Sequence, residues 1–494
     1  MKSHVYHPSP DAFKSKAEAG SVVPVYREIL ADLDTPVSAF MKIDDGGDAF
    51  LLESVEGGEK WGRYSFLGVK PRMVVRGKGT SVEIIEEGRV KKAEGPGLEL
   101  LKGLMSGYKA IHVEGAPRFG GGAIGYLGYD IIRQIERLPS TKPKELDLYD
   151  LYFIFTDTFM VFDNVEHKIQ VVANAYMDEG ADAGTRYKDA VSRIDAMVER
   201  LRAGNIPGRK PVAVEPGKIT SNFKRADFCK AVEAVKGYIS DGDVIQTVIS
   251  QRFSAPLAAE PIDIYRALRV VNPSPYMFFL RLGDTTLAGS SPEILVRVDD
   301  GKVTVKPIAG TRRRGRDDAE DAELAAELLA DPKERAEHIM LVDLGRNDIG
   351  RVAEAGTVAV DELMTVEKYS HVMHIVSDVR GQLRNGLDAF DAFAACFPAG
   401  TLCGAPKVRA MEIIEELEPC RREIYGGAVG YAGYSGNMDL CIAIRTIVIK
   451  DGRLHIQAGA GIVADSIPDK EYEETENKAR GMWKAVEMAA EGLF

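Results

Sequence analysis

Cysteine is scarce in this sequence, and the few cysteines present form no recognisable metal or redox motif. The five cysteines are scattered through 494 residues, and no two of them are spaced as C-x-x-C. This pattern excludes a small disulfide-stabilised scaffold and gives no indication of structural zinc, an iron–sulfur cluster or a redox dithiol. We expect reduced and mostly buried thiols.

Long apolar runs and an excess of basic charge are also missing. The chain has no run of roughly 18 apolar residues, and residues 1–30 lack the apolar region of a signal peptide. Lys and Arg total 63 against 75 Asp and Glu, a net charge of −12, so the chain lacks the overall basic character that nucleic acid binding requires. We expect a cytoplasmic protein that binds neither nucleic acid nor a membrane.

Common phosphate-binding and nucleophile motifs are absent or weak. There is no Walker A sequence and no G-x-S-x-G elbow, which excludes P-loop and serine-hydrolase chemistry. Gly120, Gly122 and Gly125 match G-x-G-x-x-G, but no amphipathic helix follows them. The dinucleotide-binding interpretation is therefore disfavoured.

The composition that remains is that of a large folded protein. Apolar residues make up 45% and charged residues 28% of the chain, as in ordinary globular domains. The length predicts two large domains or three smaller ones. An amphipathic helix ending at Gly204 precedes a segment rich in proline and glycine. We predict an N-terminal domain over residues 1–205, a linker over 206–217 and a second domain over 218–494.

Strand patterns on both sides of this linker predict antiparallel hairpins. Before it, runs at Tyr152–Phe155 and Thr158–Phe162, which we interpret as alternating, lead into a turn at 163–164 and a returning strand at Ile169–Val172. After it, Asp-Gly turns at 300–301 and 451–452 each predict a tight hairpin that leads into a glycine-containing segment. Strands without strict β-α-β alternation favour an α+β fold over a doubly wound sheet.

One pattern occurs twice. Residues 121–129 read GGAIGYLGY and residues 426–434 read GGAVGYAGY, so the two segments differ at only two positions. Glycine and tyrosine at strand spacing predict two similar strands with a close backbone approach. Such strands could interleave across the linker.

A predicted helix near the middle of the chain begins with acidic residues, and we call the first turns of such a helix an acidic opening. Asp331 followed by Pro332 predicts an N-cap with proline at the first helical position, which places Glu334 and Glu337 on one face. Taken alone, this pattern is typical of a solvated helix start, because acidic side chains suit the positive end of the helix dipole.

A second acidic opening lies close to the end of the chain. A helix starting at Pro468 would place Glu471, Glu474 and Lys478 on a shared face. If the two openings meet, four carboxylates would raise one another's pKa unless a cation neutralised them. Carboxylate oxygens are hard ligands suited to Mg²⁺, which keeps coordination positions for water or a substrate anion.

Taken together, the segments resemble the chorismate-utilising enzymes, most closely the members that form anthranilate. The resemblance runs along most of the chain. The matching segments are LLES (51–54), GRYSF (62–66), NPSPYMFF (272–279), GSSPE (289–293), PIAGTRRRG (307–315), EHIMLVDLGRND (337–348), HVMHIVS (371–377), PAGTLCGAPK (398–407), YGGAVGY (425–431), CIAIRT (441–446), QAGAG (457–461) and EYEETENKAR (471–480).

The resemblance implies a two-domain α+β fold, with a large antiparallel β-sandwich flanked by helices and chorismate bound beside Mg²⁺. Glu337 and Glu474 match the metal ligands, and Glu334 and Glu471 match secondary acidic positions. The positions that match those holding the substrate are Gly310, Thr311, Tyr425, Arg445, Gly459, Ala460, Gly461 and Lys478. Glycine suits such a site because backbone N–H groups can then approach an anion.

The implied reaction adds ammonia to C2 of chorismate with loss of the 4-hydroxyl, then eliminates pyruvate to give anthranilate, the first committed step of tryptophan biosynthesis. Hydroxide leaves poorly without a proton, so we assign Glu293 as general acid, since a desolvated carboxyl stays protonated near neutrality. His374 matches the histidine associated with pyruvate elimination.

Two positions distinguish this chain from relatives with other products. Isochorismate-forming and salicylate-forming members have a water-activating lysine where this chain has Gln246. Many enzymes that form 4-amino-4-deoxychorismate have a nucleophilic lysine where this chain has Ala309. Direct attack of ammonia at C2 is favoured. The alternatives are 4-amino-4-deoxychorismate synthesis and, more remotely, a non-catalytic tryptophan-sensing or scaffolding homologue.

The resemblance also implies an inhibitor and a partner. The positions that match the family's tryptophan site, which confers feedback inhibition, are Ser54, Pro275, Tyr276, Met277 and Cys441. No cysteine lies in the G-x-C-x-G-x-Q context of a glutamine amidotransferase. We expect a separate amidotransferase subunit to supply ammonia, and therefore a hetero-oligomer.

Overall fold

A computed structural model describes residues 5–18, 20–54, 63–206, 217–369 and 372–493. Gly62, His371 and most of the predicted linker, residues 207–216, lie outside these ranges. The chain folds into two large sheets that face each other and are flanked by helices. The predicted α+β sandwich is confirmed.

Twelve α-helices occur in the described residues. They are α1 (Pro10–Lys16), α2 (Pro36–Ile43), α3 (Gly97–Ser106), α4 (Ala183–Ala203), α5 (Arg225–Ser240), α6 (Pro261–Val271), α7 (Asp318–Ala330), α8 (Pro332–Gly350), α9 (Ala389–Cys396), α10 (Gly400–Cys403), α11 (Lys407–Leu417) and α12 (Pro468–Glu491). No helix in this part of the chain is both long enough and apolar enough to span a bilayer.

The same ranges contain twenty-five strands. They are β1 (Ser21–Leu30), β2 (Ala49–Glu53), β3 (Tyr64–Val69), β4 (Met73–Lys78), β5 (Ser81–Glu86), β6 (Arg89–Glu94), β7 (Lys109–Ala110), β8 (Gly122–Leu127), β9 (Leu151–Thr156), β10 (Thr158–Asp163), β11 (Lys168–Tyr176), β12 (Thr220–Ser221), β13 (Gln246–Pro256), β14 (Tyr276–Leu282), β15 (Thr285–Ser291), β16 (Ile294–Asp299), β17 (Lys302–Val305), β18 (Ile308–Arg313), β19 (Ala359–Lys368), β20 (Val372–Gln382), β21 (Gly404–Ala405), β22 (Ala428–Gly433), β23 (Met438–Ile442), β24 (Thr446–Lys450) and β25 (Arg453–Ile462).

The strands form sheet A and sheet B. Sheet A has the order β12-β13-β25-β24-β15-β14-β2-β3-β10-β11-β1-β7, with β21 beside β13, and sheet B has the order β18-β20-β17-β16-β23-β22-β8-β9-β4-β5-β6, with β19 beside β20. Every pairing among the described strands is antiparallel except that of β1 with β7. The sheets pack face to face through aromatic side chains, since Phe66 of sheet A lies 6.1 Å, centroid to centroid, from Tyr431 of sheet B.

Each sheet contains strands from both halves of the sequence. In sheet A, β2 pairs with β14, and in sheet B, β8 pairs with β22. The division into domains 1–205 and 218–494 stays a prediction, but these pairings mean that neither segment completes a sheet alone. The repeated pattern forms the second junction, because its two copies contain β8 and β22, and Gly125 lies opposite Gly430. The predicted similar strands and their interleaving are confirmed.

The two Asp-Gly hairpins are confirmed as β16–β17 and β24–β25. Both residues of each turn have positive φ, 48° and 77° at 300–301 and 49° and 70° at 451–452, as this type of two-residue hairpin requires. The predicted helices are also present, as α4 and α5 before and after the linker and as α8 and α12 at the acidic openings.

One predicted hairpin is only partly correct. β10 and β11 pair as expected, but Tyr152–Phe155 lies in β9, which belongs to sheet B and does not pair with β10 of sheet A. The chain passes from one sheet to the other at Asp157. Almost every residue of β9 and β10 is buried. Neither strand therefore has an exposed face, and its sequence pattern does not show to which sheet it belongs.

We predict that Gly125→Ala destabilises the protein. A Cβ atom at Gly125 would collide with the backbone carbonyl oxygen of Tyr152, so the central strands of sheet B would have to separate. We expect a loss of about 2 kcal/mol or more in the free energy of unfolding. Calorimetry at a fixed scan rate should show a lower unfolding temperature.

The matched control is Gly103→Ala on α3, where nothing lies within 4 Å of the new Cβ. Alanine is the better helix former, so this variant should be unchanged or stabilised by about 0.5–1 kcal/mol. Equal unfolding temperatures for the two variants would contradict the close packing inferred at Gly125.

Candidate active site

The predicted site residues lie on five elements that converge at one end of the sandwich. β18 and β20 carry Gly310, Thr311 and His374, β25 carries the glycine segment 457–461, and α8 and α12 carry the acidic residues. The remaining residues lie just outside strands, with Glu293 directly before β16 and Arg445 directly before β24.

The opening of α8 is fixed by its own sequence. The Asp331 side chain accepts hydrogen bonds from the backbone N–H groups of Lys333, at 2.9 Å, and Glu334, at 3.3 Å. Pro332 occupies the first helical turn, where a missing N–H costs nothing. This cap sets the direction in which Glu334 and Glu337 leave the helix.

Glu337 is half-buried, and groups on other elements act on its carboxylate. Burial is the main cause that raises its pKa, and the nearby charge of Glu334 raises the pKa further. A side-chain hydrogen bond from Gln246 of β13 and the positive charge of Lys478 on α12 lower it. α8, β13 and α12 therefore meet at this carboxylate.

The opening of α12 faces the same point. The Lys478 ammonium lies 2.6 Å from Glu474 Oε1 and donates a 3.0 Å hydrogen bond to the Gly459 carbonyl oxygen. Burial raises the pKa of Glu471, and Glu474 adds to that rise, whereas Lys333 of α8 and Lys478 lower it. The structure thus brings together the two acidic openings, which the sequence places far apart.

These residues include suitable ligands for magnesium. In the described part of the chain, no three His, Cys, Asp or Glu side chains are close enough to hold a metal ion among themselves. Mg²⁺ is commonly held by one or two carboxylates together with water and substrate oxygens. Glu337 and Glu474 fit that donor set, and the burial of Glu337 is a cost that a cation would relieve.

The glycine segment of β25 forms another wall. A Cβ atom at Gly459 would lie 2.8 Å from the Tyr425 hydroxyl oxygen, and one at Gly461 would collide with the Gln246 amide. A side chain at either position would displace Tyr425 or Gln246 from its place in the site. The Ala460 side chain is fully buried in a separate apolar cluster, so only its backbone can face the site.

Glu293 is a partly buried carboxyl. Its Oε1 accepts a 2.9 Å hydrogen bond from the Thr401 hydroxyl. Burial raises the pKa of Glu293 to about 7, although the Thr401 hydrogen bond and the positive charge of Arg445 both lower it. A substantial fraction of this side chain is therefore protonated at neutral pH, as a general acid requires.

His374 lies beside the same arginine. Its Nδ1 is 2.8 Å from the Gly310 carbonyl oxygen and 3.1 Å from the Thr311 hydroxyl. A carbonyl oxygen only accepts, so Nδ1 carries the proton and Nε2 is left as the basic nitrogen. Burial lowers the pKa of His374, and the charge of Arg445 lowers it further. The imidazole is accordingly neutral near pH 7.

Gly310 links the two groups of residues. Its φ of 67° is in the left-handed region, and a Cβ atom there would lie 3.1 Å from the Glu334 carboxylate. Glu334 in turn raises the pKa of Glu337. Gly310 therefore lies next to both the His374 imidazole and the Glu334 carboxylate.

The five residues predicted to bind tryptophan line a separate cavity of about 210 Å³ between the two sheets. Ser54, Pro275, Tyr276, Met277 and Cys441 all contribute to its wall. The cavity also contains side chains of both charges and several aromatic rings, namely Glu53, Arg63, Tyr64, Phe66, Arg118, Arg297, Tyr431 and Asp439.

Sequence reasoning missed two contacts of the site. Thr401 lies within the segment PAGTLCGAPK but received no role, although it bonds directly to Glu293. In the sequence, Gln246 indicates only that a water-activating lysine is missing at this position. In the structure, its amide forms a hydrogen bond with the Glu337 carboxylate. The sequence contains no local pattern that pairs either residue with its distant carboxylate.

The arrangement of sheets, acidic helices and glycine segment is that of a known class. Residues 50–484 match the family of chorismate binding enzymes, and the chain belongs to that family. The matched region contains every residue assigned above to the site.

Individual relatives show which members of this family the chain resembles. The chain is 48% identical over 494 residues to "Anthranilate synthase component 1" of Acetivibrio thermocellus, covering 99% of this chain and 100% of that protein. It is 49% identical over 477 residues to the protein of that name in Pseudomonas putida, covering 94% and 96%. The crystal structure of anthranilate synthase component I from Streptococcus pneumoniae TIGR4 superposes with a TM-score of 0.77 at 39% identity, covering 92% of this chain and 98% of that one.

We predict that Thr401→Val raises the pKa of Glu293 above its present value of about 7. The Thr401 hydroxyl donates to the carboxylate and so favours its charged form. Without this donor, less opposes the effect of burial, which raises the pKa of Glu293. Infrared difference spectra recorded against pH, with Glu293→Gln to identify the band, should show the shift, and Thr401→Ser should restore the original value. An unchanged or lower pKa in Thr401→Val would contradict the assigned hydrogen bond.

Proposed function

We propose that this chain converts chorismate and ammonia to anthranilate and pyruvate, the first committed step of tryptophan biosynthesis. The observation that carries the proposal is the carboxyl of Glu293, hydrogen-bonded to Thr401 and with a pKa of about 7, together with His374, whose Nδ1 is bonded to the Gly310 carbonyl and whose pKa is lowered. An acid and a base are both available at neutral pH. The near full-length similarity to proteins named anthranilate synthase component 1 supports the same reaction.

Glu293 acts in the first stage. Ammonia attacks C2, the ring double bonds shift, and the C4–O bond breaks. The protonated Glu293 carboxyl gives its proton to the departing oxygen, so water leaves instead of hydroxide. The Thr401 hydroxyl holds Oε1, which directs the second carboxyl oxygen towards the substrate.

His374 acts in the second stage. The bond from Nδ1 to the Gly310 carbonyl fixes the tautomer and leaves Nε2 as the base. Nε2 removes the proton at C2, the C3–O bond to the enolpyruvyl group breaks, and the ring becomes aromatic. The lowered pKa of His374 keeps Nε2 unprotonated before the transfer.

The remaining residues hold the substrate. Arg445 and Lys478 provide positive charge for its carboxylates, and the backbone N–H groups of the glycine segment approach an anion without side-chain obstruction. Glu337 and Glu474 would hold Mg²⁺, with Glu334 and Glu471 as secondary acidic groups. When bound, the metal supplies further positive charge for a substrate carboxylate.

The identity of two side chains favours anthranilate over other products. Ala309 is buried in β18 and offers no amine, so a covalent lysine adduct, which would direct nitrogen to C4, cannot form there. Gln246 cannot activate water as a lysine would, and its amide is engaged by Glu337. The competing product, 4-amino-4-deoxychorismate, is therefore disfavoured.

A partner subunit must supply ammonia from glutamine. Burial raises the pKa of all five cysteines, so none is the activated thiolate that an amidotransferase needs. We assign glutamine hydrolysis to a separate amidotransferase subunit and the working enzyme to a hetero-oligomer.

The cavity between the sheets would bind tryptophan as an inhibitor. Its wall supplies arginine for a carboxylate, acidic side chains for an ammonium group and aromatic rings for an indole. Its wall and the active site are built from neighbouring strands, since Cys441 pairs with Ile294, the residue after Glu293.

The direct test is an assay of the purified chain with chorismate, Mg²⁺ and ammonium at alkaline pH, where free ammonia is abundant. We expect anthranilate and pyruvate, and no product with EDTA. Glu293→Gln should lower the rate by about 10²–10⁴-fold, because it removes the general acid. Formation of an amine at C4, or unreacted chorismate with metal and ammonia in excess, would overturn the proposal.

We predict that Ser54→Leu reduces inhibition by tryptophan without loss of ammonia-dependent activity. A larger side chain in the cavity wall opposes ligand binding, and an overpacking cost of about 1.4 kcal/mol corresponds to a tenfold weaker inhibitor. The inhibition constant measured from initial rates should rise about tenfold. Ser15→Leu on the exposed surface is the control. Full inhibition of Ser54→Leu would contradict the assigned site.

A further inference from the structure

Lys478 bridges the acidic start of α12 and the glycine segment of β25. Its ammonium lies 2.6 Å from Glu474 Oε1 and 3.0 Å from the Gly459 carbonyl oxygen. One lysine therefore contacts both a proposed metal ligand and the glycine segment that faces the substrate.

The charge of Lys478 extends beyond its direct partner. Burial raises the pKa of Glu337 and of Glu471, and the charge of Lys478 opposes that rise at both residues. Three of the four acidic side chains are thus neutralised in part by the same ammonium. Lys333 of α8 acts on the same two carboxyls, and Arg312 lies 3.5 Å from Glu334.

This arrangement competes with metal binding. A carboxylate oxygen that holds an ammonium at 2.6 Å cannot coordinate Mg²⁺ with the same lone pair, and a divalent ion repels the ammonium beside it. A divalent ion held by Glu474 therefore repels Lys478 and weakens its ion pair with Glu474, so that the ammonium is drawn towards another anion.

We propose that Lys478 is the resident counter-ion of the acidic site in the ligand-free protein, and that it transfers to a substrate carboxylate when Mg²⁺ binds. The exchange makes metal and substrate binding mutually favourable. This inference rests on the function proposed above, because it takes the acidic site as the metal site and a dicarboxylate as the substrate.

The exposure of the pair makes the exchange feasible. The side chains of Lys478 and Glu474 are 52% and 46% exposed, and ion pairs of this kind contribute little net stability because water screens them. The hydrogen bond to Gly459 holds the ammonium beside the glycine segment, so a carboxylate arriving there meets it without a large movement.

The exchange also explains why a lysine suits this position. A flexible ammonium can leave one carboxylate for another, whereas the planar guanidinium of arginine favours a fixed, two-point contact. Without Lys478, the site would have lost its direct counter-ion at Glu474 and would attract a metal even before the substrate arrives.

The test measures Mg²⁺ binding by isothermal titration calorimetry on the full chain, with and without chorismate and with no ammonia. For the unaltered chain we expect chorismate to tighten Mg²⁺ binding about tenfold, and Mg²⁺ to tighten chorismate binding by the same factor. Lys478→Met should bind Mg²⁺ without chorismate about three- to tenfold more tightly than the unaltered chain, although its chorismate affinity falls.

The matched control is Lys470→Met, an exposed lysine on the same helix whose loss removes the same net charge. It should leave both affinities unchanged. Lys478→Arg keeps the charge and should retain weak Mg²⁺ binding in the absence of chorismate.

Two results would overturn the proposal. If Lys478→Met binds Mg²⁺ alone no more tightly than the unaltered chain does, Lys478 is not the counter-ion, although the proposed function would survive. If the unaltered chain binds no Mg²⁺ even with chorismate, both the counter-ion and the metal assignment fail. Unfolding temperatures of the variants, measured alongside, show that any change reflects binding.

Discussion

The pairing of β8 with β22 is the constraint on which the rest of the architecture depends. It joins strands from opposite ends of the sequence at the middle of sheet B, and a second pairing, of β2 with β14, does the same in sheet A. Glycine at 125 and 430 lets β8 and β22 lie against their outer neighbours β9 and β23, where a side chain would collide with the carbonyl oxygens of Tyr152 and Asp439. The cavity lined by Ser54 and Cys441 lies between the two sheets joined in this way.

The active site depends on a balance between burial and charge. Burial raises the pKa of Glu293 to about 7 and lowers that of His374, so the same desolvation keeps an acid protonated and a base neutral. The positive charge of Arg445 lowers both pKa values, so it limits the rise at Glu293 and adds to the lowering at His374. At the acidic openings, the positive charges of Lys333 and Lys478 oppose the rise in carboxyl pKa that burial causes.

Local chemistry made much of the fold predictable. Asp-Gly turns defined two hairpins because few other residue pairs adopt positive φ at both positions, and Asp331-Pro332 defined the start of α8. The sheet order was not predictable in this way, because β9 and β10 are buried along almost their whole length and have no alternation from which to assign a partner. Register between distant strands is a property of the assembled core.

The candidate site likewise combines features that the sequence predicts with contacts that it does not predict. Glutamates on two helix faces could be found from spacing, but the contact between them passes through Lys478, Gln246 and Lys333 on three different elements. The bond from Thr401 to Glu293 joins residues with no shared periodicity. Resemblance to known enzymes supplied the roles of individual residues, and only the folded chain supplies the groups that tune them.

The strands that separate the cavity from the active site connect the two physically. Cys441 lines the cavity and pairs with Ile294, while the Glu293 carbonyl accepts a 3.0 Å hydrogen bond from the Ile442 N–H. A ligand changes a distant equilibrium only if it binds the alternative arrangements unequally. Because the cavity wall and the acid share one ladder of hydrogen bonds, a shift of β23 changes the cavity's shape and the position of Glu293 together. Any coupling between the cavity and Glu293 would therefore cross no more than the width of two paired strands.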